Sequence, residues 1–111
     1  MADCIFCRLA ADPAFKTVYR DERVMAFDDI DPKSPVHVLV VPVEHLESVR
    51  DVEDADLLAA LFAAAHAVAR LRSVSESGYR LVFNIGPDAG QTVFHTHLHL
   101  LAGRPLTWPP G

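Results

Sequence analysis

The chain has 111 residues, half of them hydrophobic and 23% charged, which is typical of a folded globular protein and excludes a disordered chain. Ten Lys and Arg against 15 Asp and Glu give a net charge of −5. That balance argues against nucleic-acid binding, because phosphate-backbone affinity comes from clustered cations. A small phosphorylated ligand is still allowed, since backbone N–H groups can bind it. The length predicts a single domain over residues 1–111.

The segments that would direct the chain to a membrane or out of the cell are not evident. The start, Met1-Ala2-Asp3-Cys4, lacks the basic and apolar regions of a signal peptide. No apolar run approaches the roughly 20 residues needed to cross a bilayer. We therefore expect a cytoplasmic protein without membrane contact. In that compartment the two cysteines are not expected to form a structural disulfide, and Cys4-Ile5-Phe6-Cys7 is a candidate metal or redox pair.

The predicted elements, in chain order, begin with a helical turn over residues 3–11 that Asp12-Pro13 ends. Apolar residues recur at helical spacing from about Asp54 to Ser73, which predicts the main helix. Runs of β-forming residues predict the strands Lys16–Tyr19, Val24–Phe27, Val36–Val41, Tyr79–Ile85 and His95–Leu101. The sum is an α+β domain: an antiparallel sheet of about five strands with one main helix and a short amino-terminal helix.

Three histidines alternate along the last predicted strand. Because successive strand residues point to opposite faces, His95, His97 and His99 are expected to lie on one face. A single strand histidine is usually structural, but three in register each need a partner and would repel one another if protonated together. The row therefore indicates a functional site, and its spacing alone leaves metal binding and catalysis both open.

A glycine-containing loop precedes the histidine row. It runs from Asn84 through Gly90, Gln91 and Thr92. Glycine lets backbone N–H groups approach an anion closely, and Gln and Thr add donors. Alone, the loop suits a plain turn between strands. Beside three histidines, it becomes a candidate phosphate cradle.

The string over residues 90–101, GQTVFHTHLHLL, closely resembles the His-φ-His-φ-His-φ-φ motif of the histidine triad (HIT) superfamily, where φ is apolar. Thr96 departs from φ and is not expected to disturb the site. The likeness covers nearly the whole chain, including CIFC at residues 4–7, AFDDI at 26–30 and VLVVPVEH at 38–45. The ending, Gly103-Arg104 with WPPG at 108–111, is similar to the Hint branch rather than the Fhit branch.

The resemblance implies a role for each matching residue. His97 would be the nucleophile that attacks the α-phosphorus of a nucleotide, which a neutral imidazole with a pKa of about 6.5 is able to do. His99 and Gln91 would hold the phosphate oxygens, and Gly90 and Thr92 would donate near the phosphate and leaving group. The remaining nucleotide-binding residues would be Phe6, Phe27 and Ile30 at the base, Asp29 at the ribose hydroxyls, Asn84 at the phosphate end, and Trp108 from the partner of a homodimer.

A zinc site is the second proposal from the sequence. Cys4, Cys7, His45 and His95 supply two thiolates and two imidazoles, a usual tetrahedral set, and some HIT proteins place zinc there. The alternative is two buried, reduced cysteines that pack as small apolar residues. Four protein ligands leave no open position, so the zinc would be structural and the chemistry would need no cofactor. The other two histidines, His37 and His66, are expected to be structural.

The leading hypothesis is hydrolysis of the P–N bond of purine nucleoside 5′-phosphoramidates, with AMP or GMP as the bound nucleotide, through a nucleotidyl-histidine intermediate. One alternative keeps the mechanism and changes the leaving group: dinucleoside polyphosphate hydrolysis or nucleotidyl transfer. Another is a zinc-binding interaction module whose catalysis is incidental.

Overall fold

An antiparallel sheet forms the centre of the molecule. The computed structural model describes residues 3–111; Met1 and Ala2, at the start that we expect not to be a signal peptide, lie outside the described residues. The helices and strands are α1 (Ile5–Ala11), β1 (Tyr19–Arg20), β2 (Val24–Asp28), β3 (Val36–Pro42), α2 (Ala55–Leu71), β4 (Tyr79–Phe83) and β5 (Leu98–Ala102). The strand order is β1-β2-β3-β5-β4, with every neighbouring pair antiparallel. The predicted α+β class, with its two helices and five strands, is confirmed.

The main helix, α2, covers one face of the sheet. Asp54 caps it, because its carboxylate accepts hydrogen bonds from the backbone N–H groups of Asp56 and Leu57. Its buried side chains pack on β2, β3 and β5, where Leu98 and Leu100 are almost fully buried. No helix in residues 3–111 is long and apolar enough to span a membrane.

The opposite face carries α1 and a smaller apolar cluster. Strand alternation divides β3 between the two faces: Val38 and Val40 pack toward α2, whereas Leu39 and Val41 join the other cluster. Phe6 of α1 is buried in that second cluster. The face away from α2 therefore has a core of its own, which packs α1 against β2 and β3.

Three predicted strands had an end that was wrong by two residues or more. β1 is Tyr19–Arg20 instead of Lys16–Tyr19. In the turn that follows, the Asp21 carboxylate accepts hydrogen bonds from the N–H groups of Arg23 and Val24. β5 begins at Leu98 rather than His95, because the Thr96 N–H bonds the Leu46 carbonyl, beyond the end of β3. β4 ends at Phe83 rather than Ile85. Phe83 pairs with Leu98, the first residue of β5, so the residues after Phe83 have no β5 residue to pair with.

Candidate active site and metal centre

A cavity of about 480 Å³ opens on the sheet face opposite α2. Phe6 and Phe27 form part of its wall, and their rings meet edge to face with centroids 5.5 Å apart. Other predicted nucleotide-binding residues line it as well: Asp29, Ile30, Thr92, His97 and His99. An aromatic slot with a carboxylate and two imidazoles along one side suits a ligand that is flat and apolar at one end and polar at the other.

The histidine row survives although the strand is shorter than predicted. Only His99 lies in β5, and His95 and His97 precede it. The His97 ring still contacts that of His99, with centroids 5.0 Å apart, and its centroid is 5.4 Å from that of Phe6. Thr96, between His95 and His97, is buried, and its Oγ1 has no hydrogen-bond partner among the described residues.

The bond at one ring nitrogen of His97 determines what the other nitrogen can do. Nδ1 lies 2.8 Å from the backbone oxygen of His95. A carbonyl only accepts, so Nδ1 carries the proton and donates it. In the neutral ring, Nε2 then holds an unshared electron pair, and His97 lines the cavity. His97 is therefore built as a nucleophile or as a hydrogen-bond acceptor.

The same reasoning applies to His95, which is fully buried. Its Nε2 lies 2.8 Å from the Pro42 carbonyl and so donates to it. The unshared pair on Nδ1 faces two sulfurs, with Cys4 Sγ at 3.2 Å and Cys7 Sγ at 3.5 Å. Cys7 Sγ also lies 3.3 Å from Nδ1 of His45. We call these four residues the sulfur cluster.

The sulfur cluster fits a zinc ion. Its four ligand atoms all lie within 4.8 Å of one another, and the cysteines form no disulfide. Zinc takes S and N ligands at about 2.3 and 2.0 Å in a tetrahedron, which sets the ligand atoms about 3.3–3.8 Å apart. The Pro42 carbonyl also supplies the outer hydrogen bond that orients a metal-binding imidazole.

A second group of side chains lies at the other end of the row. His99 Nδ1 is 2.9 Å from Nε2 of His37, and that Nε2 is 3.4 Å from Oδ2 of Asp29. We call Asp29, His37 and His99 the carboxylate cluster. Its atoms also lie within 4.8 Å of one another, so distance alone does not distinguish it from the sulfur cluster.

Burial keeps His37, His95 and His99 uncharged at neutral pH. It lowers the pKa of His99 to about 4, and the nearby His97 and His37 rings lower that pKa further while Asp29 opposes them. Burial likewise lowers the pKa of His37 and of His95. At neutral pH these three rings therefore keep an unshared pair on one nitrogen.

The loop before the row holds the remaining predicted phosphate residues. The Gln91 amide is buried: its oxygen accepts from Gly86 N–H, and its nitrogen donates to the carbonyls of Glu47 and Val93. In this arrangement Gln91 braces the loop and does not line the cavity. Gly90 has a φ of +84°, a left-handed conformation that favours glycine.

Asn84 and Trp108 also lie outside the 480 Å³ cavity. The Asn84 amide nitrogen is 3.5 Å from Nε2 of His99 and lines a neighbouring cavity of about 410 Å³. Trp108 is 81% exposed in a tail that is held by a hydrogen bond from Arg80 to the Thr107 carbonyl. Contact of Trp108 with a partner's site stays a prediction.

Sequence reasoning missed His37. We expected a structural residue, but the structure sets it against His99 in the histidine row. The signal was present, since strand alternation places His37 on the same face of β3 as Leu39 and Val41, which is the face of the site. What the sequence could not supply was the pairing of β3 with β5, which brings His37 diagonally across from His99.

Comparison with known proteins identifies the family of the chain. The HIT domain family matches residues 13–106. The chain belongs to the HIT family. A crystal structure of a HIT family hydrolase from Legionella pneumophila superposes with a TM-score of 0.91 at 46% identity, covering 98% of this chain and 100% of that one.

Two sequence relatives within the HIT family add to this. A HIT-like protein from Synechococcus elongatus is 45% identical over 96 residues, which cover 85% of this chain and 83% of the relative. A 14 kDa zinc-binding protein from Brassica juncea is 40% identical over 114 residues, which cover 98% of this chain and 100% of the relative.

Proposed function

We propose that this HIT protein hydrolyses the P–N bond of purine nucleoside 5′-phosphoramidates through a nucleotidyl-His97 intermediate. The observation that carries the proposal is the hydrogen bond from His97 Nδ1–H to the His95 carbonyl, which leaves Nε2 free to attack. Its position beside an aromatic slot suits attack on a phosphate attached to a nucleoside. The Legionella relative named as a HIT family hydrolase supports hydrolysis in general.

The nucleoside would occupy the slot with its phosphate toward the histidines. Phe6, Phe27 and Ile30 would flank a purine base such as that of AMP or GMP, with Ile30 at the fully exposed rim. Asp29 lies at the same wall, and its carboxylate would accept hydrogen bonds from the ribose hydroxyls. The phosphate would then lie against His97 and His99.

Two displacements at phosphorus complete the reaction. In the first, the Nε2 pair of His97 forms a bond to phosphorus as the P–N bond breaks, and the amine nitrogen takes a proton from solvent water as it leaves. In the second, water attacks phosphorus and gives up a proton to solvent as the P–Nε2 bond breaks, which releases the nucleoside monophosphate and neutral His97. Splitting one difficult displacement into two easier ones is the gain of covalent catalysis.

Donors around the phosphate would stabilise the charge on its oxygens. We assign this role to His99, Thr92 and the backbone of Gly90, with Asn84 at the edge. Contact of Gln91 with the phosphate stays a prediction, because its amide already holds three backbone groups. Its present bonds support the loop that carries Gly90 and Thr92.

We also propose that the sulfur cluster binds zinc as a structural ion. The donor set and the orientation of His95 support this, as does the relative named as a zinc-binding protein. When bound, zinc would join α1 to the segment before β5. Since Phe6 lies between Cys4 and Cys7, the ion would hold a wall of the slot and take no part in the displacement.

Membership of the Hint branch, a homodimer and a cytoplasmic location complete the proposal. The end of the sheet favours a dimer, because β4 is an edge strand with half-buried side chains and Phe62 beside it is exposed. Exposed strand edges tend to pair with another chain. Trp108, exposed in a single chain, would then reach the partner's site.

A substrate panel with wild type and His97→Ala tests the function. We expect wild type to cleave AMP–amine conjugates and His97→Ala to be slower by at least about 10³-fold. Mass spectrometry of quenched wild type should detect a nucleotidyl adduct on His97, and thermal unfolding should confirm that the variant is folded. Equal rates for the two proteins would overturn the proposal.

The same panel separates the alternatives. Faster cleavage of diadenosine polyphosphates than of AMP–amine conjugates would favour polyphosphate hydrolysis, and transfer of the nucleotidyl group to an added phosphate would favour a transferase. Nucleotide binding without turnover of any substrate would favour an interaction module.

A further inference from the structure

The carboxylate cluster has the composition of a possible metal site, but one hydrogen bond argues against that use. The backbone N–H of Lys33 donates to Nδ1 of His37 at 3.0 Å. An N–H only donates, so Nδ1 of His37 must hold an unshared pair. The ring is buried and neutral, and its one proton is therefore on Nε2. A protonated Nε2 does not ligate a metal.

The Lys33 N–H is itself held in place. Asp29 begins the loop that contains it, with its N–H bonded to the His37 carbonyl and its Oδ1 accepting from Asp31 N–H. At Lys33, the carbonyl accepts from an Arg104 guanidinium nitrogen at 3.1 Å. The loop thus presents a fixed donor to His37.

The proton on His37 determines the proton on His99. Nε2–H of His37 points to Nδ1 of His99 at 2.9 Å, so that Nδ1 must accept. The proton of neutral His99 is then on Nε2. The Asn84 amide nitrogen lies 3.5 Å from Nε2, but it also only donates and therefore does not bond this N–H. This N–H is available to a ligand in the cavity.

From these bonds we infer that His37 is a positioning residue for the reaction: it fixes the tautomer and ring orientation of His99, so that His99 donates to the substrate phosphate. The chain of bonds runs from the Lys33 N–H through His37 to His99. Asp29 Oδ2, at 3.4 Å, is a second and weaker acceptor for the same Nε2–H. The catalytic consequence rests on the proposed function, but the tautomers do not.

Nitrogen NMR of the wild-type protein tests the tautomers directly. Long-range proton–nitrogen correlation at pH 7.5 distinguishes a protonated ring nitrogen from one with an unshared pair. We expect both His37 and His99 to carry the proton on Nε2, and His97 to carry it on Nδ1. A proton on Nδ1 of His37 or of His99 would overturn the inference whether or not the protein is a hydrolase.

A matched pair of variants tests the catalytic consequence. His37→Gln keeps an acceptor for Lys33 N–H and a donor toward His99, whereas His37→Leu has a similar size and keeps neither. We expect His37→Leu to lower kcat on the AMP–amine conjugate by about 3- to 10-fold, the value of one neutral hydrogen bond. KM should stay within about twofold, and His37→Gln should recover most of kcat.

The fold and the tautomer of the variants must be checked beside their rates. Thermal unfolding reports whether His37→Leu is folded, and nitrogen NMR reports whether the His99 signals move in that variant and return in His37→Gln. Equal loss of kcat in both variants, or a change confined to KM, would overturn the positioning role. If wild type cleaves no substrate, the proposed function fails while the NMR result still decides the tautomers.

Discussion

The sulfur cluster and the carboxylate cluster hold the two ends of one histidine row, yet they are built for different tasks. Each places its polar atoms within 4.8 Å of one another. The difference lies in the outer partner of a histidine: a carbonyl at His95, which frees the inner nitrogen, and an N–H at His37, which puts a proton on it. The partner of the far nitrogen therefore decides between metal binding and proton donation more clearly than the spacing of the ligands.

His97 lies between the two clusters. Like His95, it donates from one ring nitrogen to a backbone carbonyl, but it belongs to neither candidate metal site. Its outer nitrogen donates to a carbonyl, as that of His95 does, and its inner nitrogen faces a cavity rather than two sulfurs. One backbone pattern would thus serve both the proposed zinc ligand, His95, and the proposed nucleophile, His97. The environment of the free electron pair separates the two roles.

Removing a ligand of the sulfur cluster should give the largest change in stability. We expect Cys4→Ala to lose bound zinc and about 4 kcal/mol of unfolding free energy, or about 15 °C in Tm, because structural zinc can supply roughly 10 kcal/mol or more in a small fold. At 20 °C, where the variant is still folded, turnover should be affected less than thermal stability is. Metal analysis and calorimetry measure the first two quantities.

His37→Gln serves as the control for that comparison, and it should keep one zinc per chain. If His37→Gln lost zinc, or if Cys4→Ala kept both its metal content and its Tm, the separation of the two clusters would be wrong. A collapse of turnover at unchanged stability would contradict a purely structural ion.

Acid should next weaken the fold through the carboxylate cluster. Unfolded histidine titrates near its ordinary pKa of 6.5, whereas burial holds the pKa of His99 at about 4. The unfolded chain then binds more protons between these values, so the free energy of unfolding falls as the pH drops from 6.5 to 4. The loss from His99 alone should approach about 3 kcal/mol.

Urea unfolding at several pH values measures this slope. His99→Asn should be less stable at pH 7 and should show a shallower fall, because the variant lacks the titrating ring. Chelator in every sample removes the separate effect of acid on zinc ligands. The same slope in the variant and in wild type would show that His99 is not the group responsible.

Substitution of Phe6 should give the smallest change in stability. It is also informative about both parts of the row, because Phe6 lies beside the sulfur cluster and beside His97. Its ring contacts both His95 and His97, at centroid distances of 5.7 and 5.4 Å. Phe6→Leu should cost about 1 kcal/mol of stability and raise KM several-fold, because it keeps an apolar side chain but loses the ring contacts. Zinc content should not change.

Isothermal titration with AMP would measure the change at Phe6. Leu9→Ala, at the same cavity but without an aromatic ring, is a suitable comparison. If Phe6→Leu bound AMP as tightly as wild type, the aromatic wall would not contribute to nucleotide binding.

Local patterns predicted much of the fold. The helical spacing around Leu61 predicts α2, and the apolar run Val36–Val41 predicts β3. The alternation of His95, His97 and His99 predicts one row, although only His99 lies in a strand. These features depend on neighbours within a few residues, which the sequence displays.

Features that depend on distant partners were not predictable in the same way. The order β3-β5-β4 brings His37 to His99, and no local pattern contains that order. The bond of Gln91 to the Glu47 carbonyl joins residues 44 apart, and the start of β5 depends on the Leu46 carbonyl, 50 residues before Thr96. The resemblance identified the family, but these contacts required the structure.

The contact between Cys4 and His95 spans 91 residues and bears on how the chain folds. Contacts of such separation form late, because the loop between their ends must first be closed. During synthesis, α1 leaves the ribosome first, and Phe6 can pack on β2 and β3 once these strands have emerged, whereas the contact of Cys4 with His95 must wait for residue 95. The sulfur cluster is therefore completed only near the end of synthesis, and a chain released before residue 95 would lack both that cluster and the histidines of the slot.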